Sequence, residues 1–191
     1  MLISALLTSL LPATLALALP TSHSTRQTTD LPEFDITALS GTLPEGGPYG
    51  TSPSLTSSLI ITVTYPSPAD AATRLTTTCS TQWPATAPGP TDWATCADGA
   101  LQWRLPEKGW TSDLNFRVEV YLATGDDVAG PGLDATHYLD QNPGDTSDPS
   151  AYLSCIQMGK FTPLTCQING PLSAHSGSVV MYASTETARP E

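Results

Sequence analysis

Leu114-Asn115-Phe116-Arg117-Val118-Glu119-Val120-Tyr121-Leu122 is the stretch that decides the fold class. Apolar residues occupy every second position: Leu114, Phe116, Val118, Val120 and Leu122. Asn115, Arg117, Glu119 and Tyr121 fill the positions between them. Successive side chains of a strand point to opposite faces, so the alternation predicts a strand with one face on a core and the other toward water.

The same period of two recurs on either side. Phe34 and Ile36 alternate in a short first strand, and Leu59, Ile61, Val63 and Tyr65 share a face of a second, with Thr62 and Thr64 opposite. Leu75, Thr77 and Cys79 share a face of a third, and Leu101, Trp103 and Leu105 alternate with Gln102 and Arg104. Fainter strands are expected near 135–139, 151–157, 164–168 and 178–184. Turn-forming clusters such as Pro66-Ser67-Pro68 and Gly130-Pro131-Gly132 separate them. Between Gly125 and Pro149 there are six acids and no Lys or Arg, which predicts a long, solvated excursion around a short strand at Ala135–Leu139. No sustained helical period and no fixed repeat is present. The expectation is an all-β fold: one compact β-barrel or sandwich of about eight to ten short antiparallel strands, stapled by two local disulfides.

The N-terminal end has a different character. Residues 1–18 are apolar, carry no charged side chain and end on Ala16-Leu17-Ala18, the small residues a signal peptidase reads. Ser4, Thr8, Ser9, Pro12 and Thr14 argue against a membrane-spanning helix, which needs about 20 mostly apolar residues. The chain thus divides into a signal peptide at 1–18, a disordered polar leader at 19–30 and a single domain at 31–191. Arg26-Gln27 in the leader is a candidate processing site. The expected location is extracellular, with no membrane association.

Eighteen acids face seven bases, for a net charge of −11. Such a field repels nucleic acid and anionic lipid, so neither is expected as a partner. Four cysteines, Cys79, Cys96, Cys155 and Cys166, suggest two disulfides in an exported chain, with three possible pairings. None stands in a C-x-x-C pattern or near a histidine at ligand spacing, so no zinc site is expected. Asp126-Asp127 and Asp140-Gln141-Asn142 offer hard oxygen ligands but not EF-hand spacing, and a solvated acidic loop accounts for them. No metal and no cofactor is expected.

The catalytic inventory is poor. His137 and His175 are the only histidines after the leader, and no Gly-x-Ser-x-Gly accompanies Ser176 and Ser178. No catalytic residue is assigned, and an enzyme is not the expectation. Among the tryptophans, Trp103 falls on an inward face. Trp83 and Trp93 lie between Cys79 and Cys96 near Pro84, Pro88 and Pro90, and are the ligand-binding candidates, able to stack on a sugar or a flat phenolic ring. The competing reading packs both beneath a disulfide-closed loop.

Thr78-Cys79-Ser80, Trp93-Ala94-Thr95-Cys96 and Leu101-Gln102-Trp103 occur in that order. Pro44-Glu45-Gly46 and Ser58-Leu59-Ile60-Ile61 precede them, and Cys155 and Cys166 follow, eleven apart. Over about residues 31–184 this pattern resembles the fungal Alternaria major allergen family. The resemblance implies a compact secreted β-barrel of the allergen or effector type, with bridges Cys79–Cys96 and Cys155–Cys166 and no established catalytic residues. A chain argument favours the same pairing, because a local bridge forms as soon as a hairpin does and a long-range one must wait for most of the chain. Each closes a loop of under twenty residues, a stabilisation of roughly 3 kcal/mol in the chain-entropy picture. The allergen type has an extra N-terminal cysteine that links a dimer; this chain has none there, so a covalent dimer is not expected. The functional expectation is a secreted fungal protein that acts by binding a host extracellular protein or a small ligand. The alternatives are an extracellular hydrolase using carboxylates and a structural cell-wall protein.

Overall fold

The computed structural model describes residues 31–44, 56–85, 87–106, 109–159 and 162–191. The signal peptide at 1–18, the leader at 19–30 with Arg26-Gln27, and Glu45-Gly46 lie outside the described residues.

The described residues form twelve strands and no helix. They are β1 (Glu33–Leu43), β2 (Thr56–Pro66), β3 (Arg74–Pro84), β4 (Ala94–Thr95), β5 (Leu101–Arg104) and β6 (Trp110–Ser112), followed by β7 (Asn115–Ala123), β8 (Gly132–Asp140), β9 (Leu153–Gln157), β10 (Leu164–Ile168), β11 (Val179–Tyr182) and β12 (Ser184–Glu186). Every strand pair is antiparallel. The first sheet runs β3-β2-β1-β10-β9, with β11 also beside β1. The second runs β12-β8-β7-β5-β4, with β6 also beside β7. The arrangement is a sandwich, without closure into a barrel. Three strands beyond the expected set, β4, β6 and β12, are only two or three residues long, too short for alternation to register in sequence.

The period-two apolar positions meet between the sheets. Phe34, Ile36, Leu59, Ile61 and Val63 of the first sheet and Leu101, Phe116, Val118, Val120 and Leu139 of the second have no exposed surface, and Trp103 is 1% exposed among them. Burying each such side chain stabilises by about 1.5–3 kcal/mol, which is why this register wins over a one-residue slip. Between β11 and β12 the chain changes sheets across one residue. Tyr182 pairs with Glu33 in the first sheet, Ser184 pairs with Asp134 in the second, and Ala183 between them is buried with its N–H on the Pro32 carbonyl at 2.9 Å.

The two disulfides are Cys79–Cys96 and Cys155–Cys166. Cys155 and Cys166 are direct partners on β9 and β10, with Cα atoms 4.0 Å apart. Cys79 lies on β3, at an edge of the first sheet, and Cys96 directly follows β4, at an edge of the second. This bridge therefore joins the two sheets rather than neighbouring strands of one sheet. The Ala97 N–H donates to the Thr78 carbonyl at 2.9 Å beside it.

Three expectations need correction. The first strand is not short: β1 runs over eleven residues, Glu33–Leu43, because it pairs with β2 along one edge and with β11 and β10 along the other. The strand around 135–139 extends over Gly132–Asp140, because it pairs with β7 along its whole length. The polar face of β7 is not open to water throughout, since Glu119 is 5% exposed and Tyr121 fully buried. The covering segments come from the β7–β8 connection and from the residues after β12.

Candidate binding site beside Trp93

Trp93 precedes β4, at the end of the proline-rich connection from β3. Its half-buried ring meets Tyr121 edge-on, with centroids 5.9 Å apart. The Arg104 guanidinium carbon lies 4.4 Å from the ring centroid, a cation–π distance. Strand pairing explains the Arg104 position. It sits opposite Glu119 across β5 and β7, and its Nε donates to the Glu119 carboxylate at 2.6 Å. Both side chains are largely buried, at 10% and 7% exposure.

A cavity of about 160 Å³ opens here, lined by Thr81, Pro90, Trp93, Trp103, Arg104 and Leu105 among others. An engineered apolar cavity of about 150 Å³ takes up benzene, so this volume suits one small ring. Trp103 is 1% exposed, and among the described residues its indole Nε1 is buried without a hydrogen-bond partner. Leaving such a group unpaired costs about 1–3 kcal/mol. A second cavity, of about 190 Å³, lies by Pro32, Pro66, Leu122 and Leu133. Among the described residues lining it, no buried side-chain polar atom lacks a partner.

Asp134 adjoins this region on β8, opposite Tyr121. Burial, reinforced by the Glu119 and Glu186 carboxylates and opposed by Arg104, pushes its carboxyl up to about 7. Glu119 and Asp134 thus form a carboxylate pair around one arginine. Tyr121 reaches over Gly132, where an added Cβ would come within 2.5 Å of its ring, and its hydroxyl donates to the Gly130 carbonyl. Gln102 donates to the Val128 carbonyl at 2.9 Å, which holds the 125–131 segment down. From the other side, Trp93 Nε1 donates to the Pro190 carbonyl at 2.9 Å, the Arg189 guanidinium lies 5.6 Å from the Trp93 centroid and donates to Gln102, and the Arg189 N–H donates to the Ala129 carbonyl at 3.0 Å.

The two tryptophan candidates therefore part company. Trp83 is 7% exposed and belongs to the core, on β3 opposite Ser57, so it presents no binding surface. Trp93 borders a cavity. Gln102, Tyr121, Asp134 and Arg189 were not candidates in the sequence, where each reads as an ordinary strand or tail residue.

The remaining candidates have structural duties. His137 and His175 approach the carbonyls of Pro149 and Asp148 at 3.2 and 2.6 Å and flank Tyr152, with ring centroids 6.1 and 5.0 Å away. Burial lowers the His137 pKa, which favours a neutral ring. Asp145 and Asp148 accept from the backbone N–H groups of Ser147 and Ser150, and Asn142 donates to both carboxylates. Those contacts are turn caps. Among the described residues no group of three or more His, Cys, Asp or Glu could hold a metal ion.

No protein-family model, no curated protein and no solved structure matches the chain.

Proposed function

We propose that this chain is a secreted, non-enzymatic fungal protein of the allergen or effector type, and that it binds a host protein or small ligand through the cavity beside Trp93. The observation that carries the reading is a ring-sized cavity whose wall holds the half-buried Trp93 ring and the Arg104 guanidinium lying over it. A phenol, a small sugar or an aromatic side chain of a partner protein would fill the space. The two disulfides agree with an extracellular life. The order of the Cys79, Trp93-Ala94-Thr95-Cys96 and Trp103 motifs supports the fungal assignment.

A hydrolase is the second reading, favoured by the Glu119–Asp134 pair, which offers one carboxylate and one group able to hold a proton near neutral pH. Against it, Glu119 is 5% exposed and engaged by Arg104. Calorimetric titration of the purified protein with single-ring phenols and monosaccharides, and capture from host extracellular fluid, test the binding reading. Binding that Trp93→Ala abolishes while the fold is retained is the expected result. Turnover of a glycan or ester that Glu119→Gln or Asp134→Asn abolishes would replace it with the hydrolase.

A further inference from the structure

The segment after β12 behaves as a ligand of the rest of the domain. Thr187, Ala188 and Glu191 are exposed, and only Arg189 and Pro190 are drawn in. These two residues make four contacts to three residues: the Arg189 N–H to the Ala129 carbonyl, its guanidinium to Gln102 and over Trp93, and the Pro190 carbonyl to the Trp93 indole N–H. Two anchored residues flanked by solvated ones is the pattern of short peptide motifs in recognition grooves.

The receptor side is built without help from this segment. Gln102 is fixed by the Val128 carbonyl, Tyr121 by the Gly130 carbonyl, and Trp93 by Tyr121 and Arg104. None of those contacts involves an atom of residues 187–191. Its charges are mixed: the Arg104 guanidinium lies over the same Trp93 ring, and carboxylates surround Tyr121. The Tyr121 phenol stands in the field of Asp134, Asp127 and Glu186, which act against Arg189, and its proton is held more tightly than usual, chiefly through burial.

We propose that the cleft formed by Trp93, Gln102, Tyr121 and the Ala129 carbonyl is a recognition site for an arginine-bearing, extended peptide segment of a partner protein, and that Arg189-Pro190 occupies it in cis. Resting on the binding reading, the assignment names a partner chemistry for the face next to the cavity. The guanidinium lies over an indole and donates to a side-chain amide, while the peptide backbone is read at two points, a donor to Ala129 and an acceptor for Trp93. A lysine would lose the broad, delocalised head group that reaches both the indole face and the Gln102 amide. The overall charge of −11 draws basic segments toward it. Joined to β12 by a few residues, the resident segment has an effective concentration in the millimolar range, so an external peptide must compete with it.

The test uses ¹⁵N-labelled protein and the synthetic peptide Thr-Ala-Arg-Pro-Glu, with the Trp93 indole N–H resonance as readout. A chain ending after Glu186 should bind the peptide at least tenfold more tightly than the full chain does, and an Arg-to-Ala peptide should bind at least tenfold more weakly to that shortened chain. Full-length Arg189→Ala, which keeps the whole backbone, is the companion variant, and it too should bind the arginine peptide more tightly than the unaltered chain. The proposal is overturned if a shortened chain with both disulfides and unaltered circular dichroism ignores the peptide, or binds the alanine peptide equally well. Should the shortened chain not fold, equal binding by Arg189→Ala and the unaltered protein overturns it. Phenol and monosaccharide titrations of the same samples report on the cavity separately, so loss of one reading leaves the other standing.

Discussion

The outward faces of the two sheets differ although their strands alternate alike. On the first sheet the outward face of β2 and β3 is rich in hydroxyls, where Thr62 and Thr64 stand beside Thr78 and Thr76, Ser80 pairs with the exposed Ile60, and Thr76, Thr78 and Ser80 are exposed. On the second, the outward positions hold Gln102, Arg104, Glu119, Tyr121 and Asp134, and two returning segments cover part of them. Short hydroxyl side chains leave nothing for a covering segment to grip. Long polar side chains and an indole offer stacking planes and hydrogen bonds that hold one in place. The difference places recognition on the second sheet and predicts unequal responses to mutation.

The largest effect should come from Arg104→Met. It leaves Glu119 buried without its cation, beside Asp134, a loss of about 3–5 kcal/mol typical of a broken buried pair. Urea denaturation measures it, and a change below about 1 kcal/mol would mean that water reaches this face freely. Tyr121→Phe follows, removing the hydroxyl that holds Gly130 and leaving a buried carbonyl unpaired, for about 1–3 kcal/mol. Its unfolding midpoint should fall, and exchange of the 125–131 amides should quicken.

Asp134→Asn should act through pH. With a carboxyl pKa of about 7 in the fold against 3.8 in the reference, the folded state keeps a proton that the unfolded state releases between those values. This group therefore takes stability away as pH rises from about 4 through about 7, and the effect then levels off. The Asn variant should gain on the unaltered protein at pH 8 and not at pH 4 in melting curves. A difference independent of pH would show that Asp134 stays ionised throughout. The smallest effect belongs to the open face. Thr76→Val keeps the β-branch and loses one exposed contact with Thr64, so it should shift stability by less than about 0.5 kcal/mol.

The open face was the legible one. Thr62, Thr64, Leu59 and Ile61 follow a strict alternation, and burial alone decides which way such a strand turns. Glu119 and Tyr121 obey the same pattern in sequence yet are buried, because what covers that face arrives from elsewhere. Arg189 and Pro190 stand 87 and 97 positions from Gln102 and Trp93, and a contact made by two residues of an irregular segment leaves no period to detect. Cys79–Cys96 divides in the same way. Its pairing follows from local loop closure, whereas its placement between sheets depends on the two-residue β4, which has no pattern of its own. Trp83 and Trp93 were indistinguishable as residues near prolines. What separates them is that Trp83 continues the register of β3 into the core, while Trp93 stands outside any strand.

The covered second sheet is the centre of this account, and hydrogen exchange of the intact protein probes it most directly. The Arg189 amide and the Trp93 indole N–H should exchange measurably more slowly than the Thr187 amide, because the first two are engaged with Ala129 and Pro190 and Thr187 is exposed. Exchange of both at the rate of an unstructured peptide would contradict it, since the outward face around Gln102 and Tyr121 would then lack its cover.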